Sequence, residues 1–311
     1  MKVQLKPLDQ QVVVVTGASS GIGMATALAA AGAGARVVLA ARSERALDAL
    51  ASRIRQQGGQ ACFAVADVGR REDVERIART ALDNYGRVDT WINNAGVSIF
   101  GRLDAVADED SRRLFDTNFW GVVHGSLVAL PLLRQQGGAL INVGSEASEE
   151  AIPLQGMYAA SKHAVKGFTD ALRVELQEDG APVSITLIQP TAVNTPFPEH
   201  AGNAMPQAPK LPTPMIDPHT VASAILDAAT DPARDVKVGA MATVNTLVSK
   251  LMPSMADMMG RVQMGRQQRG EPNRDRRGTL YEAGETGRIF GRGDDNAADS
   301  KEARMSNTRP A

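Results

Sequence analysis

The sequence predicts an α/β fold, a doubly wound parallel sheet with helices on both faces. Two observations predict it. Before Ile188, short runs rich in Val, Leu and Ala alternate with helix-sized segments, and a glycine-rich turn, TGASSGIG at residues 16–23, joins the first run to the first helical segment. Strands that alternate with helices form parallel sheets with right-handed crossovers. The continuous apolar character of the runs is typical of strands that are buried on both faces.

Six apolar runs are the predicted strands. They are VVVVT (12–16), RVVLA (36–40), ACFAV (61–65), TWIN (90–93), ALINV (139–143) and SITLI (184–188). The segment between the second and third runs shows the helical pattern clearly: Ser43 can cap it, and Leu47, Leu50 and Ile54 fall on one face. A further helix is predicted at about residues 218–229, and a last strand at about 236–238 completes the sheet.

Residues 1–240 are predicted to form one α/β domain. Within it, residues 196–218 contain seven prolines and few apolar anchors, which predicts an irregular loop. Residues 241–259 are predicted to be an amphipathic, methionine-rich helical extension that Pro253 kinks or divides. Residues 260–311, rich in arginine and glycine, are predicted to be a disordered tail.

The methionine-rich stripe leaves three interpretations open. We favour a helix, or a pair of helices, that packs on its own domain. The stripe could instead cover an apolar substrate or contact a membrane surface.

Composition narrows the class of protein. The 311 residues are 43% hydrophobic, and 34 basic against 35 acidic side chains give a net charge of −1, which argues against nucleic acid as the main partner. The single cysteine, Cys62, excludes an internal disulfide framework and a multi-cysteine zinc site. The N-terminal segment MKVQLKPLDQQ is polar, and no apolar run is long enough to be a transmembrane segment. A cytoplasmic location is therefore expected.

Tyr158 and Lys162 lie four residues apart in a predicted helix. This spacing places both side chains on one face, one turn apart. A neighbouring ammonium lowers the pKa of a phenol from its usual value near 10, which would make Tyr158 a general acid or base. The alternative is that Tyr158 packs its ring and Lys162 is solvated, and the pair alone does not decide between them.

The glycine-rich turn and the end of the second strand indicate a dinucleotide site. Gly17, Gly21 and Gly23 would let backbone amides at a helix N-terminus approach a pyrophosphate. An NAD enzyme places an acidic residue after the second strand, whereas this chain has two alanines followed by Arg42. Because a guanidinium suits a 2′-phosphate, we expect NADP(H) to be preferred over NAD(H). Arg42 could alternatively be a solvated loop residue.

Further motifs follow in order: NNAG at residues 93–96, Asn118 within FDTNFWG, and Ser145 within INVGSEAS, thirteen residues before Tyr158. With TGxxxGxG and YxxxK, the chain resembles the short-chain dehydrogenase/reductase family over about residues 10–240. The resemblance implies a Rossmann-like fold and hydride transfer between a nicotinamide cofactor and a carbonyl or alcohol, with no metal.

The resemblance also implies roles for individual residues. Tyr158 would be the catalytic acid or base, and Lys162 would lower its pKa and hold the nicotinamide ribose. Ser145 would hydrogen-bond the substrate oxygen, and Asn118 would anchor a water of a proton relay. The implied cofactor-binding residues are Gly17, Ser19, Ser20, Gly21, Ile22, Gly23, Arg42, Asp67, Val68, Asn94, Ala95, Gly96, Tyr158, Lys162, Pro190, Val193 and Thr195. Thr191 stands where the family usually has a glycine, so the local backbone could differ.

These observations predict an NADP(H)-dependent oxidoreductase acting on a hydrophobic ketone, aldehyde or secondary alcohol. Phe197 and Met205 are apolar candidates for its substrate loop, and Glu146, Glu149 and Glu150 are interpreted as solvated turn residues. Two alternatives remain: a regulatory NADP-binding protein with little turnover, and an oxidoreductase with a membrane-surface role through its C-terminal extension.

A long helix near residues 111–133 is apolar round most of its circumference. One sheet face cannot cover so much apolar surface, and such helices often pack against a partner subunit. The resemblance implies a dimer interface there as well, so a homodimer or homotetramer is expected.

Overall fold

The protein contains a seven-stranded parallel sheet in the order β10-β7-β6-β4-β1-β2-β3. A computed structural model describes residues 3–240, 251–273 and 275–292. The strands are β1 Val12–Thr16, β2 Arg36–Ala41, β3 Gln60–Val65, β4 Thr90–Asn93, β5 Ile99–Phe100, β6 Gly138–Val143, β7 Val183–Pro190, β8 Gly202–Asn203, β9 Gln207–Pro209, β10 Asp235–Val238 and β11 Gln268–Pro272. The six predicted strands and the predicted last strand are all present, and the predicted fold class is confirmed.

Helices cover both faces of the sheet. They are α1 Gly21–Gly32, α2 Glu44–Gln56, α3 Arg71–Tyr85, α4 Asp108–Phe115, α5 Gly121–Gln136, α6 Gly156–Glu178, α7 Phe197–His200, α8 Pro218–Ala228 and α9 Pro253–Met264. Val13 and Val15 of β1 pack in the same cluster as side chains of α1, α2 and α8. Val12 and Val14 pack instead with side chains of α3, α5 and α6. Alternate residues of one strand therefore build two separate layers of core.

The helix α2 shows how local sequence sets an element. Ser43 accepts a hydrogen bond from the Ala46 amide, which caps the helix as predicted. Leu47, Leu50 and Ile54 are all buried. The apolar stripe thus faces the sheet, and the charged residues of α2 face solvent.

The strand order places a crevice beside β1. The chain moves outward from β1 through β2 to β3, then crosses back to β4 on the other side of β1. Loops after β1 and β4 consequently separate at the carboxyl edge of the sheet, which is where ligands bind in such folds.

The predicted long helix near residues 111–133 is interrupted. Helix α4 ends at Phe115, a π-helical turn spans Asp116–Trp120, and α5 follows. A π turn rotates the helix and is frequent at functional sites. Here it carries Asn118, whose side chain is fully buried.

The C-terminal region differs from the prediction. The predicted disordered tail from residue 260 is wrong for residues 260–273 and 275–292. Residues 260–264 belong to α9, β11 pairs with β9, and Leu280 is 1% exposed. Apolar side chains such as Leu280 and Ile289 contact the core clusters, which the arginine-rich composition concealed. Residues 293–311 lie outside the described residues.

The methionine-rich helix begins at Pro253, so the proline divides the predicted stripe. Met255, Met258 and Met259 are 38%, 61% and 38% exposed, so this part of the stripe is not packed on the domain as we favoured. Residues 241–250, with the rest of the stripe, lie outside the described residues. Within the described part of the chain, no helix has the length and apolarity needed to cross a membrane.

Candidate active site

A cavity of about 300 Å³ opens at the carboxyl edge of the sheet. Its walls come from the turn after β1 and from the loops after β2, β3, β4, β6 and β7. The predicted site residues that line it are Gly17, Ser19, Ser20, Gly21, Ile22, Arg42, Asp67, Val68, Asn94, Ala95, Gly96, Ser145, Tyr158, Lys162, Pro190, Val193 and Thr195. Gly23 and Asn118 lie behind the wall.

Close packing explains two glycines of the turn. Gly17 has φ 68°, and a Cβ there would lie 2.8 Å from Cα of Ala95. A Cβ on Gly23 would overlap the Gly17 carbonyl oxygen and lie 2.6 Å from Nδ2 of Asn94. The side-chain amide of Asn94 donates through Nδ2 to the Thr16 carbonyl at 2.9 Å and so stabilises the turn. Positions 17 and 23 of this turn therefore require glycine, because any Cβ there would clash with neighbouring atoms.

The turn leads into the N-terminus of α1. Ser20 is its N-cap, but the Ser20 side chain makes no capping hydrogen bond. The first amides of a helix have no partner within the helix and carry partial positive charge. The turn therefore fits the pyrophosphate of a dinucleotide.

Three polar side chains meet at the other end of the cavity. Tyr158 and Lys162 lie one turn apart on α6, and the Lys162 ammonium is 5.8 Å from the centroid of the Tyr158 ring. The Lys162 ammonium donates to the Val143 carbonyl at 2.8 Å. Ser145, just after β6, hydrogen-bonds the Tyr158 hydroxyl. The spacing in sequence thus becomes a cluster in space.

Burial dominates the ionisation of this cluster. Burial, against an opposing hydrogen bond to Ser145 and with a smaller contribution from the nearby Glu146, raises the pKa of Tyr158 to about 12. Burial also lowers the pKa of Lys162 to about 8. The pKa of Tyr158 is thus raised in this structure and not lowered as predicted, because burial removes the phenolate from water.

Asn118 is held firmly by its neighbours. Its Oδ1 accepts from the Val97 amide at 2.8 Å, and its Nδ2 donates to the Val97 carbonyl and to Ser161 Oγ. A Cβ added at Gly96 would lie 3.5 Å from Asn118 Oδ1 and 3.8 Å from the Lys162 ammonium, so both groups lie close to Gly96. Asn118 therefore joins the strand end after β4 to the helix that carries Tyr158.

The nucleotide end of the cavity contains Arg42 and Asp67. The Arg42 guanidinium donates to the carbonyl oxygens of Thr279 and Leu280. Arg113 forms an ion pair with Asp67 and donates to the Leu280 carbonyl at 3.0 Å. Burial lowers the pKa of Arg42, and Asp67 opposes that shift. Arg42 and Asp67 both line the cavity, and residues 279 and 280 of the C-terminal region lie against them.

Two acidic residues that we interpreted as solvated turn residues line the cavity instead. Glu146 is 9% exposed and accepts a hydrogen bond from Thr191 Oγ1 at 2.9 Å. Burial, reinforced by Glu146, raises the pKa of Glu150 to about 8. Among the described residues, Leu154 is the one non-glycine with positive φ, so Thr191 does not strain the backbone. The position of Glu146 directly after Ser145 was the available signal.

The apolar candidates separate into two places. Phe197 lines the cavity and packs edge-on against Tyr158, with ring centroids 5.5 Å apart. Met205 instead packs in a neighbouring cluster with Phe100 and Leu154. Other apolar residues of the wall are Ile152 and Leu211.

Comparison with known proteins decides the family. The family model for short chain dehydrogenases matches residues 11–205, more than half of the chain. The chain belongs to the short-chain dehydrogenase/reductase family. This short-chain dehydrogenase/reductase is 45% identical over 288 residues to the uncharacterized oxidoreductase YxnA of Bacillus subtilis (strain 168). The match covers 91% of the chain and 81% of YxnA, so it continues into the C-terminal segment.

Two solved structures share the fold. A short chain dehydrogenase/reductase from Burkholderia phymatum in complex with NAD has a TM-score of 0.73 and 27% identity, over 81% of this chain and 96% of that one. An alcohol dehydrogenase from the archaeon Thermococcus sibiricus complexed with 5-hydroxy-NADP has a TM-score of 0.65 and 29% identity, over 73% and 94% respectively. The protein is therefore an oxidoreductase with a fold that binds nicotinamide cofactors.

Proposed function

We propose that this protein catalyses NADP(H)-dependent hydride transfer between nicotinamide and a hydrophobic ketone, aldehyde or secondary alcohol. One observation carries the proposal: Ser145, Tyr158 and Lys162 meet at one end of a cavity whose other end contains Arg42. The glycine-rich turn lies between the two ends, as a dinucleotide requires. When bound, the cofactor donates or accepts the hydride.

The protein's own side chains manage the proton and the substrate oxygen. With a pKa of about 12, Tyr158 keeps its proton at neutral pH and can donate it during carbonyl reduction. Ser145 and Tyr158 hydrogen-bond the carbonyl oxygen as negative charge develops on it. Lys162 adds positive potential and holds the ribose. Asn118 positions the strand end behind Lys162 and anchors a water of the proton relay.

The wall of the cavity suggests the substrate class. Phe197 and Ile152 offer apolar surface beside Tyr158, and Leu211 adds a further apolar side chain to the wall. Glu146 adds a carboxylate near Tyr158, whereas Glu150, with a pKa of about 8, is mostly protonated at neutral pH. Carboxylates repel an anionic substrate. A neutral hydrophobic carbonyl compound is therefore favoured over a keto acid.

The experiment follows NADPH oxidation at about 340 nm, in the absorbance band of the reduced nicotinamide. The panel contains ketones, aldehydes and quinones, each paired with a carboxylate analogue of similar size. Turnover of neutral members over their carboxylate partners supports the proposal. NADPH binding without turnover on any member favours the regulatory alternative.

Arg42 is expected to determine the choice of cofactor. Charged hydrogen bonds contribute about 1.5–3 kcal/mol, so Arg42→Ala should lower kcat/KM for NADPH about 10- to 100-fold. NADH lacks the 2′-phosphate and is the internal control, for which kcat/KM should not fall. Steady-state kinetics with both cofactors gives the ratio of kcat/KM for NADPH to kcat/KM for NADH in the wild type and in the variant. Equal losses for NADPH and NADH would contradict the assignment of Arg42 to the 2′-phosphate.

The rate of reduction is expected to fall above about pH 8. The folded-state pKa of Lys162 is lowered to about 8, so the ammonium is charged below that pH and loses its charge above it. Tyr158 stays protonated throughout, because its pKa is about 12. The pH profile of kcat/KM reports the pKa values of groups in the free enzyme, so the decrease above about pH 8, the basic limb of the profile, measures the loss of charge on Lys162.

The control for this limb is Lys162→Arg. A guanidinium keeps its charge over the whole range, so the limb near pH 8 should disappear from the remaining activity. The same limb in both proteins would assign it to another group.

A homodimer or homotetramer is also proposed. Trp120 and Leu127, seven residues apart, are 47% and 39% exposed, and Val174 of α6 is 59% exposed. Light scattering at micromolar concentration should give a multiple of the 32.9 kDa chain mass. Trp120→Glu should lower the measured mass toward that of a single chain. Leu82→Glu, at an exposed position on α3 outside this surface, should leave the mass unchanged. A wild-type monomer would refute the assembly.

A further inference from the structure

The C-terminal strap, residues 277–292, lies across the nucleotide end of the cavity. Leu280 is 1% exposed and packs in the cluster that contains Val97 and Tyr158. At the other end of the strap, a Cβ on Gly291 would lie 2.8 Å from the Thr195 carbonyl oxygen. Thr279 and Gly284 line the cavity itself. The strap is thus part of the wall and follows the groove.

Carbonyl oxygens of the strap accept hydrogen bonds from the groups that would bind cofactor phosphates. The Gly21 amide, at the start of α1, donates to the Arg288 carbonyl at 3.0 Å. Arg42 donates to the carbonyls of Thr279 and Leu280. A backbone amide has one proton to donate, so Gly21 cannot serve Arg288 and a pyrophosphate oxygen together. The Gly21 amide can therefore bind either the strap or a dinucleotide, but not both at once.

The strap is also held from outside the groove. The Tyr281 hydroxyl donates to Asp110 Oδ1 at 2.8 Å, and Arg277 stacks on the Tyr281 ring. Arg288 forms an ion pair with Glu199 of α7. These contacts lie at least partly in solvent, and such contacts contribute little each. Release of the strap must also expose Leu280, which is 1% exposed, and such local opening can occur while the rest of the domain stays folded.

We propose that the strap is an autoinhibitory segment that competes with the nicotinamide dinucleotide for the groove. The inference rests on the proposed function, because it takes the groove to be the cofactor site. Binding of the dinucleotide displaces the strap from Gly21 and Arg42. The measured affinity for cofactor is then reduced by the fraction of molecules in which the strap is docked.

Hydrogen–deuterium exchange of the full chain, with and without saturating NADPH, tests this directly. Peptides over residues 17–23 report the turn, and peptides over 277–292 report the strap. The Thr279 amide donates to the His200 carbonyl at 2.8 Å, so its exchange measures docking. We expect slower exchange in the turn and faster exchange in the strap. Slower or unchanged exchange in the strap, beside a protected turn, would overturn the proposal.

The same experiment separates the two proposals. If neither NADPH nor NADH protects residues 17–23, the groove is not a dinucleotide site, and the proposed function fails with the strap proposal. If the turn is protected and the strap is protected too, the proposed function stands and the strap instead closes over the cofactor.

A variant with a weakened strap gives a second measurement. The double substitution Tyr281→Ala with Arg288→Ala removes contacts outside the groove and leaves the phosphate-binding groups intact. We expect NADPH to bind about 10-fold more tightly, the change that corresponds to about 1.4 kcal/mol. The control, Arg134→Ala, removes the exposed Arg134–Asp179 ion pair and should leave affinity unchanged. Unchanged or weaker binding in the double variant would overturn the proposal.

Discussion

Tyr158→Phe is expected to lower kcat for carbonyl reduction by at least about 100-fold, since a positioned general acid contributes about 10²–10⁴-fold. The substitution removes one oxygen and keeps the ring. The ring's edge-on contact with Phe197 and its place in the apolar cluster should therefore persist. NADPH oxidation with the best substrate of the panel measures the loss.

The NADPH affinity of Tyr158→Phe shows whether the variant loses only the proton donor or also the folded cofactor site. The dissociation constant for NADPH should change less than about threefold, because the Tyr158 hydroxyl hydrogen-bonds Ser145 at the substrate end. Tyr85→Phe, on α3, is the matched control and should retain activity. Turnover in Tyr158→Phe within a few-fold of the wild type would remove Tyr158 as the proton donor.

Gly23→Ala is expected to lower the affinity for NADPH by more than about 10-fold and the free energy of unfolding by about 1–3 kcal/mol, the usual cost of overpacking. The new methyl group would overlap the Gly17 carbonyl oxygen, so the backbone of the turn must move. The amides that face the cavity would then move as well. Titration of NADPH by its fluorescence and thermal unfolding measure the two effects.

Gly32→Ala is the control in the same helix. No atom lies within 4 Å of a Cβ at Gly32, near the C-terminus of α1. We expect unchanged NADPH affinity and equal or slightly higher stability, since alanine has the higher helix propensity. Equal NADPH affinity in the Gly23 and Gly32 variants would show that close packing of the turn is not required for binding.

Local sequence determined the secondary structure and the sheet. The apolar runs became strands and the 3.6-residue stripe of α2 became its buried face, because burial of apolar side chains sets both periods. The order of motifs also placed most of the site. Residues after parallel strands meet at one edge, so Arg42, Ser145 and Pro190 line one cavity despite their distance in sequence.

The tertiary structure decided the environment of those residues. The pKa of Tyr158 depends on how much water its hydroxyl loses and on the approach of Glu146, and neither can be read from a four-residue spacing. The inward positions of Glu146 and Glu150 were missed for the same reason. A charged side chain in a turn is normally solvated, and only the packed cavity shows that these two are not.

The sequence by itself determined the α/β architecture, the glycine-rich turn and the helix face shared by Tyr158 and Lys162, because each depends on short-range spacing or on the common edge of parallel strands; Ser145 and Asn118 entered through the family resemblance. Only the tertiary structure showed that residues 277–292, part of the arginine-rich C-terminal region, return to the groove. The contact between Gly21 and Arg288 joins residues from opposite ends of the chain. It uses backbone atoms that every sequence has, so no side-chain pattern could predict it.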